Sequence, residues 1–303
     1  MKNFAFLFPG QGSQAVGMGR DLFEHTELGR KLFLEADEIL GYRLSRICLE
    51  GPEDELKLTH NTQPALLLVS HILFRLLGRE PGIAAGHSLG EYSAFLGAGA
   101  IPFADALLTV HRRGQYMQEA VPVGRGAMAA LIGVGIDRVR QVLAETSDAV
   151  DVANWNSATQ IVISGEKEAV AAAVTAVAAA KAVYLPVSAP FHSRLMRVAE
   201  ERLAPDLDRI PFTDPVFPVV NNVDVQKITS GTAARDGLKR QVSRPVLWYS
   251  TMEKLIDEFQ VSKFAEIGPG KVLSGLAKRI AKELRKEVEV ISIETLEDIK
   301  KID

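Results

Sequence analysis

Gly86-His87-Ser88-Leu89-Gly90 follows the short apolar run Ile83-Ala84-Ala85 and precedes the helix-forming Glu91-Tyr92-Ser93-Ala94-Phe95-Leu96. The order predicts a strand, a sharp turn and a helix. A serine set in G-x-S-x-G at such a turn occupies a nucleophile elbow: the glycines lack the Cβ atoms that would collide as the chain reverses, and the hydroxyl stands clear of the backbone. The N–H of Leu89, at the helix start, points where an oxyanion would form. The pentapeptide alone serves equally well as a βα turn whose serine caps the helix. The decision falls to the rest of the chain.

Upstream, the apolar run at residues 3–8 breaks at Pro9-Gly10-Gln11-Gly12-Ser13-Gln14, ahead of a helical pattern from Arg20 to Leu40. Gly10 to Ala15 fits the G-x-G-x-x-A dinucleotide fingerprint, but that fingerprint needs a second strand ending in an acid about 20 residues on, and here more helix follows. No P-loop motif occurs either. What remains is a glycine-rich turn whose free N–H groups include Gln11, a second oxyanion donor beside Leu89. Thr62-Gln63-Pro64 is expected to open a nearly apolar core helix, with His71 as a structural residue inside it.

Downstream, Phe103 to Val121 reads as a helix carrying Arg112 and Arg113. At 100° per residue, Ala106, Val110, Met117 and Ala120 share the face of Arg113, whereas Asp105, Gln115, Tyr116 and Glu119 lie near Arg112. Arg112 is thus an ordinary surface charge. Arg113 sits on the apolar face, where an unpaired guanidinium is strongly unfavourable, so an anion should meet it: a structural carboxylate or a substrate's.

Between Gly126 and Val187 the texture changes. Met128–Val134, Asp151–Trp155, Gln160–Ser164 and Val183–Val187 read as strands, with helices at Ile136–Thr146 and Lys167–Lys181. That β-α-β-β-α-β order is the ferredoxin-like motif. It makes 126–188 an inserted small domain within a main α/β domain of residues 1–125 and 189–303. The alanine-rich stretch is helix propensity. After the insert, Ser188-Ala189-Pro190-Phe191-His192-Ser193 places His192 where the chain re-enters the main domain. His87 flanks the nucleophile and faces away, His71 and His111 lie within helices, and His25 and His60 lie in polar segments. His192 is therefore the candidate base. Strands at 217–220, 263–267 and 288–293, with helices at 194–207, 233–241, 251–259 and 272–286, complete an α/β chain whose last ten residues are expected to fray.

The 303 residues carry a formal charge of −3, which gives no polyanion-binding signature. One cysteine, Cys48, excludes an internal disulfide and a cysteine-built zinc site and fits a reducing cytoplasm. The apolar N-terminal run Phe4-Ala5-Phe6-Leu7-Phe8 stops at Pro9-Gly10, too soon for a signal peptide's core, and no run elsewhere is long enough to span a bilayer.

A serine elbow followed by a histidine suggests an α/β-hydrolase, whose triad runs Ser, Asp or Glu, then His. Here the order fails, because the acids between Ser88 and His192 that follow Arg113, such as Asp151 and Glu166, mostly belong to the insert. Several longer motifs are more specific: Phe8 to Gln14, Thr62 to Leu66, Gly86 to Ala94, Arg113-Gly114 with Met117 to Ala120, Val219-Val220-Asn221-Asn222-Val223, and Gly268-Pro269-Gly270-Lys271-Val272-Leu273. In these the chain resembles the malonyl-CoA:acyl carrier protein transacylases of bacterial fatty acid synthesis along nearly its whole length.

The resemblance implies an α/β-hydrolase-like catalytic domain, Ser88 as acylated nucleophile, His192 as base and acid, and Arg113 as the clamp on a malonyl carboxylate. It implies an oxyanion hole at Gln11 and Leu89 and an acyl pocket walled by Phe191, Gln63 and Met117. Gln241 matches the family's third catalytic position, a glutamine whose carbonyl orients the histidine. Malonyl-CoA and an acyl carrier protein are the implied partners, with an acidic carrier meeting the basic helix at 272–286 or Arg194 and Arg197. No cofactor or metal, nucleic acid or membrane is implied, and a cytoplasmic monomer is expected. A stand-alone polyketide acyltransferase or a serine acylhydrolase would share the elbow.

Overall fold

The structure, a computed structural model, describes residues 3–146, 149–187 and 189–302; the expected domain limits at 1, 188 and 303 lie outside these. In chain order the strands are β1 (Phe4–Phe8), β2 (Ile83–Gly86), β3 (Gly126–Ile132), β4 (Val150–Ser157), β5 (Gln160–Glu166), β6 (Lys181–Tyr184), β7 (Val219–Val220), β8 (Lys227–Ile228), β9 (Lys263–Ile267) and β10 (Glu289–Ile293). The helices are α1 (Arg20–His25), α2 (Glu27–Leu40), α3 (Leu44–Glu50), α4 (Glu53–Lys57), α5 (Thr59–Leu77), α6 (Leu89–Gly97) and α7 (Phe103–Glu119), then α8 (Ile136–Thr146), α9 (Lys167–Val177), α10 (Arg197–Arg209), α11 (Gly231–Gln241), α12 (Trp248–Glu253), α13 (Val272–Glu283) and α14 (Leu296–Ile299).

Six strands form a sheet in the order β10-β9-β1-β2-β7-β8, parallel except where β8 turns back on β7. β1 is buried at all five positions, as a central parallel strand covered on both faces must be. Phe6 and Phe8 pack toward α5, α6 and α7, and Ala5 and Leu7 toward α12 and α13. The loops that leave the carboxyl ends of β1, β2 and β7 carry Gln11, Ser88 and Asn222, and such strand ends are where open α/β sheets bind ligands.

The second sheet is antiparallel, in the order β4-β5-β3-β6. Its elements run strand, helix, strand, strand, helix, strand, and α8 and α9 cover one face over a core of their own around Leu131, Val139, Ile163 and Val170. It is fastened to the first by a short parallel bridge, in which Val246 N–H donates to Ala153 O at 2.8 Å and Trp155 N–H to Val246 O at 2.9 Å.

Several boundaries differ from expectation, each for a local reason. The helix expected over 20–40 is broken at Thr26, which is extended and uses its hydroxyl to cap α2 at Gly29 N–H. α5 begins at Thr59, so Pro64 lies inside it. The His60 carbonyl that Pro64 cannot serve accepts a bond from His111 Nδ1 at 2.9 Å instead. α9 stops at Val177, short of Lys181, because Lys181–Tyr184 pairs with β3; tertiary pairing overrides the helix preference of the alanines. The chain end is ordered as far as it is described: Thr295 and Asp298 form a capping box, and Leu296 N–H donates to Asp21.

Candidate active site

Ser88 sits between the end of β2 and the start of α6 with φ 52° and ψ −106°, a conformation an L-residue adopts only under constraint. The two glycines explain the constraint. A Cβ on Gly86 would lie 1.9 Å from the Gly90 carbonyl, and one on Gly90 would lie 1.9 Å from the Phe8 carbonyl. β1, β2 and α6 approach so closely that only glycine fits on either side of the serine. Asn222, from the end of β7, straps the turn: its Oδ1 accepts the Ser88 N–H at 2.8 Å and its Nδ2 donates to Gly86 O at 2.7 Å.

His192 Nε2 lies 2.7 Å from Ser88 Oγ. Its Nδ1 faces two main-chain carbonyls, Gln241 O at 3.0 Å and Arg244 O at 3.1 Å. A carbonyl only accepts, so Nδ1 carries the proton and Nε2 presents its lone pair to the serine hydroxyl. Burial, with Arg113 nearby, pushes the imidazole down to about 3, so it is neutral at physiological pH. His192 also has a left-handed backbone, φ 57°. The carbonyl at position 241 is the main-chain one; the Gln241 side chain does something else.

That side chain holds Arg113. The guanidinium, 1 % exposed, donates from Nη1 to Gln63 Oε1 at 2.6 Å and from Nη2 to Gln241 Oε1 at 2.9 Å and Ser88 Oγ at 3.1 Å. It also lies 5.5 Å from the Tyr92 ring centroid. Among the described residues no carboxylate forms an ion pair with it. The anion that the helix wheel demands is therefore not a structural Asp or Glu in contact with the guanidinium, which is held by neutral acceptors and aimed at the serine. Gln241 Nε2 in turn donates to Ser88 O and to Glu91 Oε2, both at 2.9 Å. Glu91 is fully buried, and burial pushes its carboxyl up to about 7.

One cavity gathers Ser88, His192, Arg113, Gln11, Leu89, Gln63, Met117 and Phe191, with Met128, Asn154, Leu185 and Val187 from the second sheet and its exit. It opens into a cleft between the sheets that reaches Asn156, Lys271 and Arg279. Gln241 stands behind it. Phe191 and Met117 supply apolar wall, and Gln63 Nε2 approaches Met117 Sδ at 3.8 Å. His87, expected to face away, lines the same cavity, bonds Asn156 Oδ1 at 2.9 Å and packs on Trp248. His71 stacks on Phe103, and its Nδ1 has no hydrogen-bond partner. Arg112 pairs with Asp206 of α10, not with an acid of its own helix. Of the candidate docking arginines, Arg194 pairs with Asp151 and Arg279 bonds Gln160. Sequence reading missed Glu91, Asn222 and Arg244. The first two carried a signal: a lone acid in an apolar helix three residues past the elbow, and an asparagine pair closing a strand.

A serine activated by a neutral histidine beside an unneutralised guanidinium, in an apolar-walled cavity, is equipped to take up an acyl group that bears a carboxylate. The chain belongs to the acyl transferase domain family, whose sequence profile matches residues 5–296. Among its relatives is the malonyl CoA-acyl carrier protein transacylase of Escherichia coli strain K12, 47% identical over 293 residues that cover 94% of each chain. An acyl carrier protein S-malonyltransferase from Vibrio cholerae superposes with a TM-score of 0.95 at 42% identity, covering 99% of this chain and 100% of its own. A malonyl-transacylase in complex with its type II PKS acyl-carrier protein gives 0.94 at 43% identity, with 98% of each chain covered.

Proposed function

We propose that this chain transfers malonyl from malonyl-CoA to the phosphopantetheine thiol of an acyl carrier protein through a malonyl ester on Ser88. The observation that carries this is Arg113, buried, free of any carboxylate partner among the described residues, and 3.1 Å from the nucleophile. The relatives' names agree with it. His192 Nε2 takes the Ser88 proton as Oγ attacks the thioester carbonyl, and the oxyanion is received by the N–H groups of Gln11 and Leu89. The C–S bond breaks as His192 returns the proton to the departing CoA sulfur. The carrier thiol then loses its proton to His192 and attacks the ester, and Ser88 recovers a proton as it leaves.

Neutral carbonyls, in place of a triad carboxylate, fix the imidazole without adding negative charge beside a malonate. Leaving one member of a buried ion pair unpartnered costs about 3–5 kcal/mol, against about 0.8 kcal/mol for a methylene, so the guanidinium outweighs the Phe191 wall in choosing the acyl group. We also read the first sheet and its helices (1–125 and 189–303) as an α/β-hydrolase-like domain and 126–188 as a ferredoxin-like insert, in a monomeric cytoplasmic enzyme.

Intact mass after malonyl-CoA addition tests the reading. A stable malonyl adduct is expected on wild type and none on Ser88→Ala; no adduct on wild type, or rapid release of free malonate, sinks it. Arg113→Ala should lower the preference for malonyl-CoA over acetyl-CoA by about two to four orders of magnitude. Preference among fatty-acid and polyketide carriers then assigns the pathway.

A further inference from the structure

Resting on that reading, we propose that Glu91 is the positioning residue that fixes which end of the Gln241 side-chain amide faces Arg113, and so aims the guanidinium at the acyl group on Ser88. A primary amide can be turned end for end at little steric cost, so its orientation is set by its partners. Gln241 lies fully buried at the end of α11 with Arg113 on one side and Glu91 on the other. Glu91 Oε2 already accepts the Asn222 N–H at 2.9 Å and accepts Gln241 Nε2 at the same distance. With Ser88 O, the other acceptor of Nε2 at 2.9 Å, Glu91 turns the NH2 away from Arg113 and the carbonyl toward it, and of these two acceptors only Glu91 is a side chain. With the amide reversed, two donors would oppose each other at Arg113 and two acceptors at Glu91.

The arrangement places a carboxylate one amide away from the guanidinium. A carboxylate directly against Arg113 would neutralise it. The same group acting through Gln241 orients Arg113 and leaves its charge for the substrate. Glu91 Oε1 has no partner, so both hydrogen bonds of this buried carboxyl are made at Oε2.

The test compares acylation by malonyl-CoA and acetyl-CoA in Glu91→Met, Glu91→Gln, Gln241→Met and the Glu91→Met/Gln241→Met double variant. Glu91→Met removes the acceptor at similar volume, and the malonyl-to-acetyl rate ratio should fall by about 10- to 100-fold. Glu91→Gln can keep an oxygen toward Gln241 and should restore most of the ratio. In the malonyl-to-acetyl ratio the double variant should be no worse than Gln241→Met, because Glu91's other bond, to the Asn222 N–H beside the elbow, serves both donors alike. Equal loss with both donors, Glu91→Gln as poor as Glu91→Met, or additive losses would each overturn the proposal. If Glu91→Met does not fold, Glu91→Leu takes its place in the same comparison: a lowered ratio that Glu91→Gln restores supports the proposal, and an unchanged ratio overturns it. Wild type that forms no malonyl adduct removes the underlying reading and this proposal together; an adduct on wild type with an unchanged ratio in the variants overturns this proposal only.

Discussion

At the scale of single residues, the proposed base His192 has its proton placed before any substrate arrives: two carbonyls take the Nδ1–H, and the lone pair faces Ser88. With the imidazole held down at about 3, the fall of single-turnover acylation on the acid side should not centre on the ordinary histidine value near 6.5 but lie well below it. The same depression makes the unfolded chain bind the extra proton between these values, so this group's contribution to stability is complete above about 6.5 and lost as pH falls toward 3. Glu91 has the opposite sign. Its carboxyl rises from 4.5 to about 7 on folding, so the folded state binds the extra proton and stability is lost as pH rises through that window. Relative to Glu91→Gln, wild type should lose about 3 kcal/mol between pH 4.5 and 7.5, read as a narrowing or reversing difference in Tm. Ser88, Arg113 and His192 were legible in sequence because each breaks a local rule: a serine between turn glycines, a cation on an apolar face, a histidine at a junction. The duty of the 241 carbonyl was not legible as a main-chain one, since every residue has such a group and only the fold says which is aimed.

At the scale of elements, the elbow depends on β1, β2 and α6 meeting without Cβ atoms. Gly90→Ala would drive a methyl into the Phe8 carbonyl, a backbone group that cannot rotate away. Urea denaturation should show a loss at or above the top of the ~1–3 kcal/mol range for overpacked cores, with acylation abolished. Ser93→Ala, on the same helix but with its hydroxyl unpartnered, should cost far less. Strand and helix order was readable because apolar runs and glycine breaks are local. The ends differ from expectation where a distant partner intervenes: Lys181 pairing with Ile132 cuts α9 short, and His111 donating to the His60 carbonyl lets α5 begin ahead of Pro64, at Thr59.

At the scale of the whole molecule, the second sheet is more than a wall of the cleft. The segment that turns the histidine, Gln241 to Arg244, leads directly into Val246, which is bonded on both sides to β4. Val246→Pro, which deletes the N–H given to Ala153, should lower the single-turnover acylation rate about tenfold with a smaller change in KM, as expected when the base is misaligned. An unchanged rate would show that His192 is held without the second sheet. No spacing in the sequence announced this link, because it joins residues about 90 positions apart through a single bridge.

The left-handed backbone of Ser88 and His192 has a consequence for the chain's history. Each backbone is held where glycine would rest more easily; at Ser88, whose side chain is small, reactivity and thermal endurance are therefore opposed. Ser88→Gly should melt above Ser88→Ala by an amount corresponding to about 1–3 kcal/mol, although both are inert. A duplicate gene freed from its chemistry and selected only to persist would drift toward glycine at 88, and would betray its lost trade by outlasting its active parent in heat.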